Sequence, residues 1–128
     1  ILGTKVTNIG VSSVTCDRDS TNTTAATSQS VKFLGVTTAY TSTGTKSILV
    51  GGTFANNTSN SVNLTVQVWD NSASTEVAIA GKIPVPNGSS FVITDAGKTV
   101  LESSDEVRIY CDTANAIDAT LSILTGVS

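Results

Sequence analysis

The chain has 128 residues and 13.1 kDa, enough for one domain that buries roughly two-thirds of its unfolded surface without a disulfide or metal. Only 13% of residues are charged and the net charge is −3, so seven Lys and Arg do not provide the basic face of a non-specific nucleic-acid binder. There is no His, which excludes Ser-His-Asp and Cys-His catalysis and any imidazole metal site.

Ser, Thr and Asn together make up 47 of 128 residues. Thr favours strands, while Asn and Ser favour turns, so the composition describes a β protein kept soluble without charge. The mean hydropathy of +0.17 and the many β-branched residues argue against disorder. No apolar run approaches a membrane span, and no membrane partner is expected.

Residues 1–30 stand apart as an N-terminal arm or loop segment. Lys5–Cys16 carries Val6, Val11 and Val14 among polar residues, enough for one or two short strands. Asp17–Ser30 shows no periodicity and reads as loop or extended arm.

From Val31 a regular strand grammar sets in and runs through residues 31–128. Val31–Tyr40 is a first strand, and Ser47–Phe54 a second with Ile48, Val50 and Phe54 on one face. Val62–Trp69 is the cleanest: Val62, Leu64, Val66 and Val68 point one way, Asn63, Thr65, Gln67 and Trp69 the other. After a turn at Asp70–Thr75, Val77, Ile79, Ile83 and Val85 alternate with smaller or polar residues. Pro84 and Pro86, the two prolines, mark an edge strand or a strand end. Asn87-Gly88 predicts a tight hairpin with both residues at positive φ, leading into Phe91–Thr94. Val100-Leu101 is a short run. Val107, Ile109 and Cys111 then face in while Arg108 and Tyr110 face out, and Ile117–Thr125 buries Ile117, Ala119, Leu121 and Ile123. About seven or eight short strands with frequent turns predict an all-β antiparallel sandwich, immunoglobulin-like or jelly-roll, with an extended N-terminal arm.

The chemistry-bearing motifs are weak. Lys5, Lys32, Lys46, Lys82 and Lys98 sit in polar or turn-adjacent positions, which does not suit a Ser-Lys dyad. Asp105 and Glu106 are adjacent at a strand entry and diverge to opposite faces, unlike a glycosidase pair. Asp17, Asp19 and Asn22 lack the later Gly and bidentate Glu of a calcium loop. Asn22, Asn56, Asn57, Asn63 and Asn87 fit the glycosylation tripeptide, as chance allows in so Asn-, Ser- and Thr-rich a chain. Cys16 and Cys111 match no zinc or redox spacing and read as small buried thiols. No enzyme activity and no cofactor are expected. Tyr40, Trp69 and Tyr110 are the aromatics available for an interface or a sugar platform.

Lys46–Val127 resembles a family of small β-sandwich structural proteins of tailed bacteriophages. The resemblance lies in an ordered series: Ser47-Ile48-Leu49-Val50 with a polar turn, Val62–Asp70, Ile83–Gly88, Thr99–Glu102, Ser104–Ile109 and an apolar last strand. It implies a non-enzymatic virion component assembled in the host cytoplasm, foremost a capsid decoration (cement) protein. Its partner would be the major capsid protein or another virion protein, and it would act as a homo-oligomer, a trimer or dimer. Tail, neck or fibre modules are the alternative within that class, and a carbohydrate-binding or adhesive module the alternative outside it. For lattice attachment through the arm, the apolar candidates are Ile1, Leu2, Val6, Ile9, Val11 and Val14.

Overall fold

The strands among the described residues all pair antiparallel, in a computed structural model that describes residues 6–11, 14–16, 34–94 and 99–127. There is no helix among the described residues. The chain divides into two units, Ile1–Phe33 and Leu34–Ser128. In the first, β1 (Val6–Ile9) and β2 (Val14–Cys16) form a two-stranded hairpin. Lys5–Cys16 thus carries the two short strands expected there, paired with each other.

The second unit holds eight strands in two sheets. They are β3 (Thr37–Thr41), β4 (Lys46–Asn56), β5 (Val62–Asp70), β6 (Thr75–Val85), β7 (Ser90–Ile93), β8 (Thr99–Glu102), β9 (Glu106–Cys111) and β10 (Ile117–Val127). One sheet has the order β3-β9-β5-β6. In the other, β10 flanks β4 on one side, while β7 and β8 share the other side. The two form a β-sandwich.

The core follows from the alternation. Leu49, Phe54, Val62, Leu64, Val66, Val85, Leu101 and Val107 are all fully buried. Phe54 lies opposite Phe91 across the ladder and stacks on it, with ring centroids 6.3 Å apart. A side chain of this kind contributes about 1.5–3 kcal/mol by leaving water, and truncating Phe54 to Ala would cost about 3–5 kcal/mol.

Leu49 and Phe54 are five residues apart and both inward, which a regular strand forbids. The register resolves it: Ser122 faces Gly51 and Ile123 faces Leu49, so Val50 is an extra residue in a bulge. Phe54 thus shares its face with Leu49 and Ser47, not with Ile48 and Val50 as the simple alternation predicts. A Cβ on Gly51 would come 2.8 Å from the Ile93 carbonyl oxygen, which is why glycine stands at the bulge. Two further bulges interrupt β6, between its pairings with Leu64, Val66 and Gln67. They bring Ala80 into the core; Val77 lies opposite Val68 and is 59% exposed.

Asn87-Gly88 does not close a hairpin. β6 and β7 belong to different sheets, and the turn carries the chain from one to the other. Ser89 N–H donates to the Pro86 carbonyl at 3.2 Å, and Gly88 has φ +69° while Asn87 does not enter the left-handed region. One positive φ, at the third turn residue, is the type II pattern; the primed turns of hairpins need it one residue earlier. The tight hairpin instead joins β5 to β6, where Asp70 Oδ1 accepts from Ser72 Oγ and the Ala73 N–H.

The buried Ser42, Ser47 and Asn56 all have hydrogen-bond partners. Ser47, in the core, meets the hydroxyls of Tyr40 and Ser42 at 3.0 Å each. Asn56 donates to the Asn60 and Val85 carbonyls and accepts from the Thr58 N–H and hydroxyl, so it locks the β4–β5 turn. Its amide nitrogen is used internally, which removes Asn56 from the glycosylation tripeptides.

Candidate binding surface

The outer face of the β3-β9-β5-β6 sheet carries the most structured side-chain cluster among the described residues. β5 projects Trp69 outward, flanked in register by Glu106 on β9 and Glu76 on β6. Two residues along β9 from Glu106, Arg108 lies over the indole with its guanidinium carbon 4.4 Å from the ring centroid. Its Nε donates to Glu106 Oε2 at 2.7 Å and its Nη1 to Glu76 Oε1 at 2.8 Å. Thr38 on β3 adds a bond from its hydroxyl to Glu106 Oε2 at 2.9 Å. The cluster therefore ties all four strands of the sheet together.

Its electrostatics are internally settled. The bond from Arg108, with help from Thr38, holds the Glu106 carboxyl below its ordinary value of 4.5, and the two carboxylates push the guanidinium up. One guanidinium against two carboxylates leaves a negative excess. Arg108 is committed at two nitrogens and on its flat face, so binding a phosphate or substrate carboxylate would first break these contacts. A sugar stacking on the same face of Trp69 would have to displace Arg108. What the patch offers is a preformed Trp–Arg surface of the kind enriched at the centres of protein interfaces.

The three sequence-selected aromatics do not converge. Trp69 and Tyr110 share the outer face, but Tyr110 stands opposite Thr65, with Gln67 and Arg108 between them. That spacing is about 13 Å along the strand. Tyr40 packs against the core with its hydroxyl on Ser47, away from the outer face, so it is no interface aromatic. Opposite Val107 in the β3–β9 ladder, it inherits that residue's inward direction. Gln67, which the sequence places merely on the polar face, carries a buried amide nitrogen with no hydrogen-bond partner.

Of the arm candidates, Ile9 and Val11 are fully exposed near the β1–β2 turn, at 76% and 110%. Val6 and Val14 lie in β1 and β2 with their side chains outside the described residues; Ile1, Leu2 and the Asp17, Asp19, Asn22 group fall outside them altogether. Among the described residues no group of acidic or Cys side chains is arranged to hold a metal.

Asp105 and Glu106 diverge. Asp105 turns in, accepting the Asn71 N–H at 3.0 Å and the Glu102 N–H at 2.9 Å, while Glu106 faces out to Arg108. Cys111 is a free thiol whose burial pushes its pKa up. At Asp112 burial works against ionisation, but bonds from the Asn63 backbone and side chain outweigh it and lower the carboxyl.

No protein-family model, curated protein or solved structure matches this chain.

Proposed function

We propose that the protein is a non-enzymatic structural component of a tailed-phage virion, a capsid decoration protein that binds and stabilises the capsid lattice. The observation that carries this reading is the separate N-terminal unit, whose hairpin presents Ile9 and Val11 to solvent. Large apolar side chains exposed together near a turn are costly in water, and a protein partner that covers them recovers that cost. The resemblance of residues 46–127 to phage sandwich proteins supplies the virion context, with the major capsid protein as partner.

The strand sequence supports a finer reading as a jelly roll. The chain changes sheet at every connection of the second unit except β5–β6 and β7–β8. With β7 and β8 counted as one interrupted strand, seven of the eight jelly-roll positions are filled.

A sparsely charged surface offers little long-range attraction, so affinity must come from shape and apolar anchors, multiplied when several copies bind one lattice. The test is particle decoration by the full chain and by an Ile9→Asp, Val11→Asp double variant. The variant should keep the wild-type melting temperature and lose occupancy on particles. Equal decoration by both proteins would reject attachment through the hairpin.

A further inference from the structure

Asn87-Gly88 is the one Asn-Gly pair in the chain, and it stands exposed in the crossing from β6 to β7. Asn56 clamps both sides of this crossing. Its Nδ2 donates to the Val85 carbonyl at 2.9 Å, and its backbone N–H to the Ser89 carbonyl at 3.0 Å. Between the clamps, the turn is spanned by the bond from the Ser89 N–H to the Pro86 carbonyl at 3.2 Å, the long end of the usual range. That bond leaves the Gly88 N–H outside it. The space a Cβ would take at Gly88 is open to 4 Å among the described residues, so the peptide plane before it has room to rotate.

We propose that Asn87 is a self-modifying site, where the side-chain amide is converted to a carboxylate through a cyclic imide. The Gly88 nitrogen attacks Asn87 Cγ and gives up its proton. The N–Cγ bond forms, the Cγ–Nδ2 bond breaks, and Nδ2 leaves with that proton as ammonia. Water then opens the five-membered ring. Addition at Cγ yields aspartate; addition at the main-chain carbonyl yields isoaspartate, in which the backbone runs through Cβ. Nothing is oxidised or reduced, and water is the reagent consumed.

Glycine is what permits the ring to close. The type II turn holds the Gly88 nitrogen away from Cγ, so the peptide between Asn87 and Gly88 must rotate before attack. Glycine accepts either sign of φ during that rotation and carries no Cβ to crowd the nitrogen. Asn57 and Asn60 are exposed too, but they precede Thr58 and Ser61, whose side chains crowd the same approach. Asn56 and Asn63 hold their amides in bonds to the Val85 carbonyl and the Asp112 carboxylate.

The clamps decide what the product does to the fold. Isoaspartate adds one main-chain carbon to the turn, and Pro86, its φ fixed by the ring, cannot absorb it. The change therefore falls on Gly88 and on the bond between Ser89 and Pro86. The two Asn56 bonds keep β6 and β7 in their own sheets. Each conversion also adds one negative charge to a chain whose net charge is −3. This chemistry is independent of capsid binding and proceeds in the isolated protein.

The experiment incubates the folded full-length protein in mildly alkaline buffer and maps its asparagines by mass spectrometry, with electron-transfer fragmentation to tell isoaspartate from aspartate. Conversion should appear at Asn87 before any other asparagine, with isoaspartate among the products. Asn87→Gln, whose ring would need six members, should lose it while melting as wild type does. Hydrogen exchange on the converted protein should show the Ser89 amide losing protection and the Asn56 amide keeping its own. A folded protein whose Asn87 stays intact overturns the proposal, whether or not the urea-unfolded chain converts there. So does aspartate without isoaspartate, which would mean direct hydrolysis, or a first conversion at another asparagine. Loss of the Asn56 protection as well would overturn the confinement of the change to the turn.

Discussion

Arg108 spans Glu106 and Glu76 while lying 4.4 Å from the centroid of the Trp69 ring, so the chain's one tryptophan reports on the central ion cluster. Glu106 is held ionised below its ordinary 4.5 by Arg108 and then Thr38. A depressed carboxyl contributes stability that is complete above the unfolded value and is lost as pH falls through the folded one. Trp69 fluorescence should therefore be constant from neutral pH to about 5 and change below that. Glu106→Gln should shrink this acid transition. An identical titration in the variant would place its cause elsewhere, with Asp70, next to Trp69 and also lowered by its turn bonds, the first group to test.

Asp105 ties the β8–β9 turn to the β5–β6 turn through the Glu102 and Asn71 N–H groups. Its carbonyl also receives the Ser42 N–H at 2.8 Å. Asp105→Ala strands two backbone donors in a site only 6% exposed and should destabilise by about 2–4 kcal/mol. Asp105→Asn keeps one acceptor oxygen and should cost less. Urea denaturation of both variants measures the order.

Two glycines should fail for different reasons. Gly88 sits at φ +69° in open space, so Gly88→Val meets only backbone strain, about 1–2 kcal/mol, and Gly88→Asn should largely escape it. At Gly51 any Cβ collides with the Ile93 carbonyl, and Gly51→Ala should cost about 1–3 kcal/mol through displacement of β7. Melting curves of the three variants separate strain from collision: Asn should rescue the first site, while even Ala should be costly at the second.

Burial raises the Cys111 thiol, so its reactive thiolate is scarce at neutral pH. Alkylation in the native protein should be slow and should accelerate on unfolding. Rapid native labelling, mapped to Cys111 by mass spectrometry, would contradict the packing described for β9.

The sequence by itself determined the strand content: period-two alternation in Val62–Trp69 and Val107–Cys111 names both the element and the inward face, whereas in Ile117–Ile123 it names the strand but Ala119, expected inside, is exposed. It also separated Trp69 and Arg108 from the core, since parity alone directs them outward. Parity fails wherever one residue is added: the Val50–Gly51 bulge sets Ile48 and Phe54 on opposite faces, and those in β6 turn Ala80 inward between Ile83 and Val77. A bulge is chosen by contact across the ladder and between sheets, here Gly51 against the Ile93 carbonyl, which no local pattern encodes. The Asn87-Gly88 pair likewise specifies a turn with a positive φ. Whether that turn closes a hairpin or crosses to the other sheet depends on which neighbour buries β7, and Phe54 on β4 decides it. The Trp69 cluster is a tertiary product for the same reason. Glu76, Glu106 and Arg108 come from two strands that never pair with each other, and β5 lies between them to set the register that brings all three onto one indole.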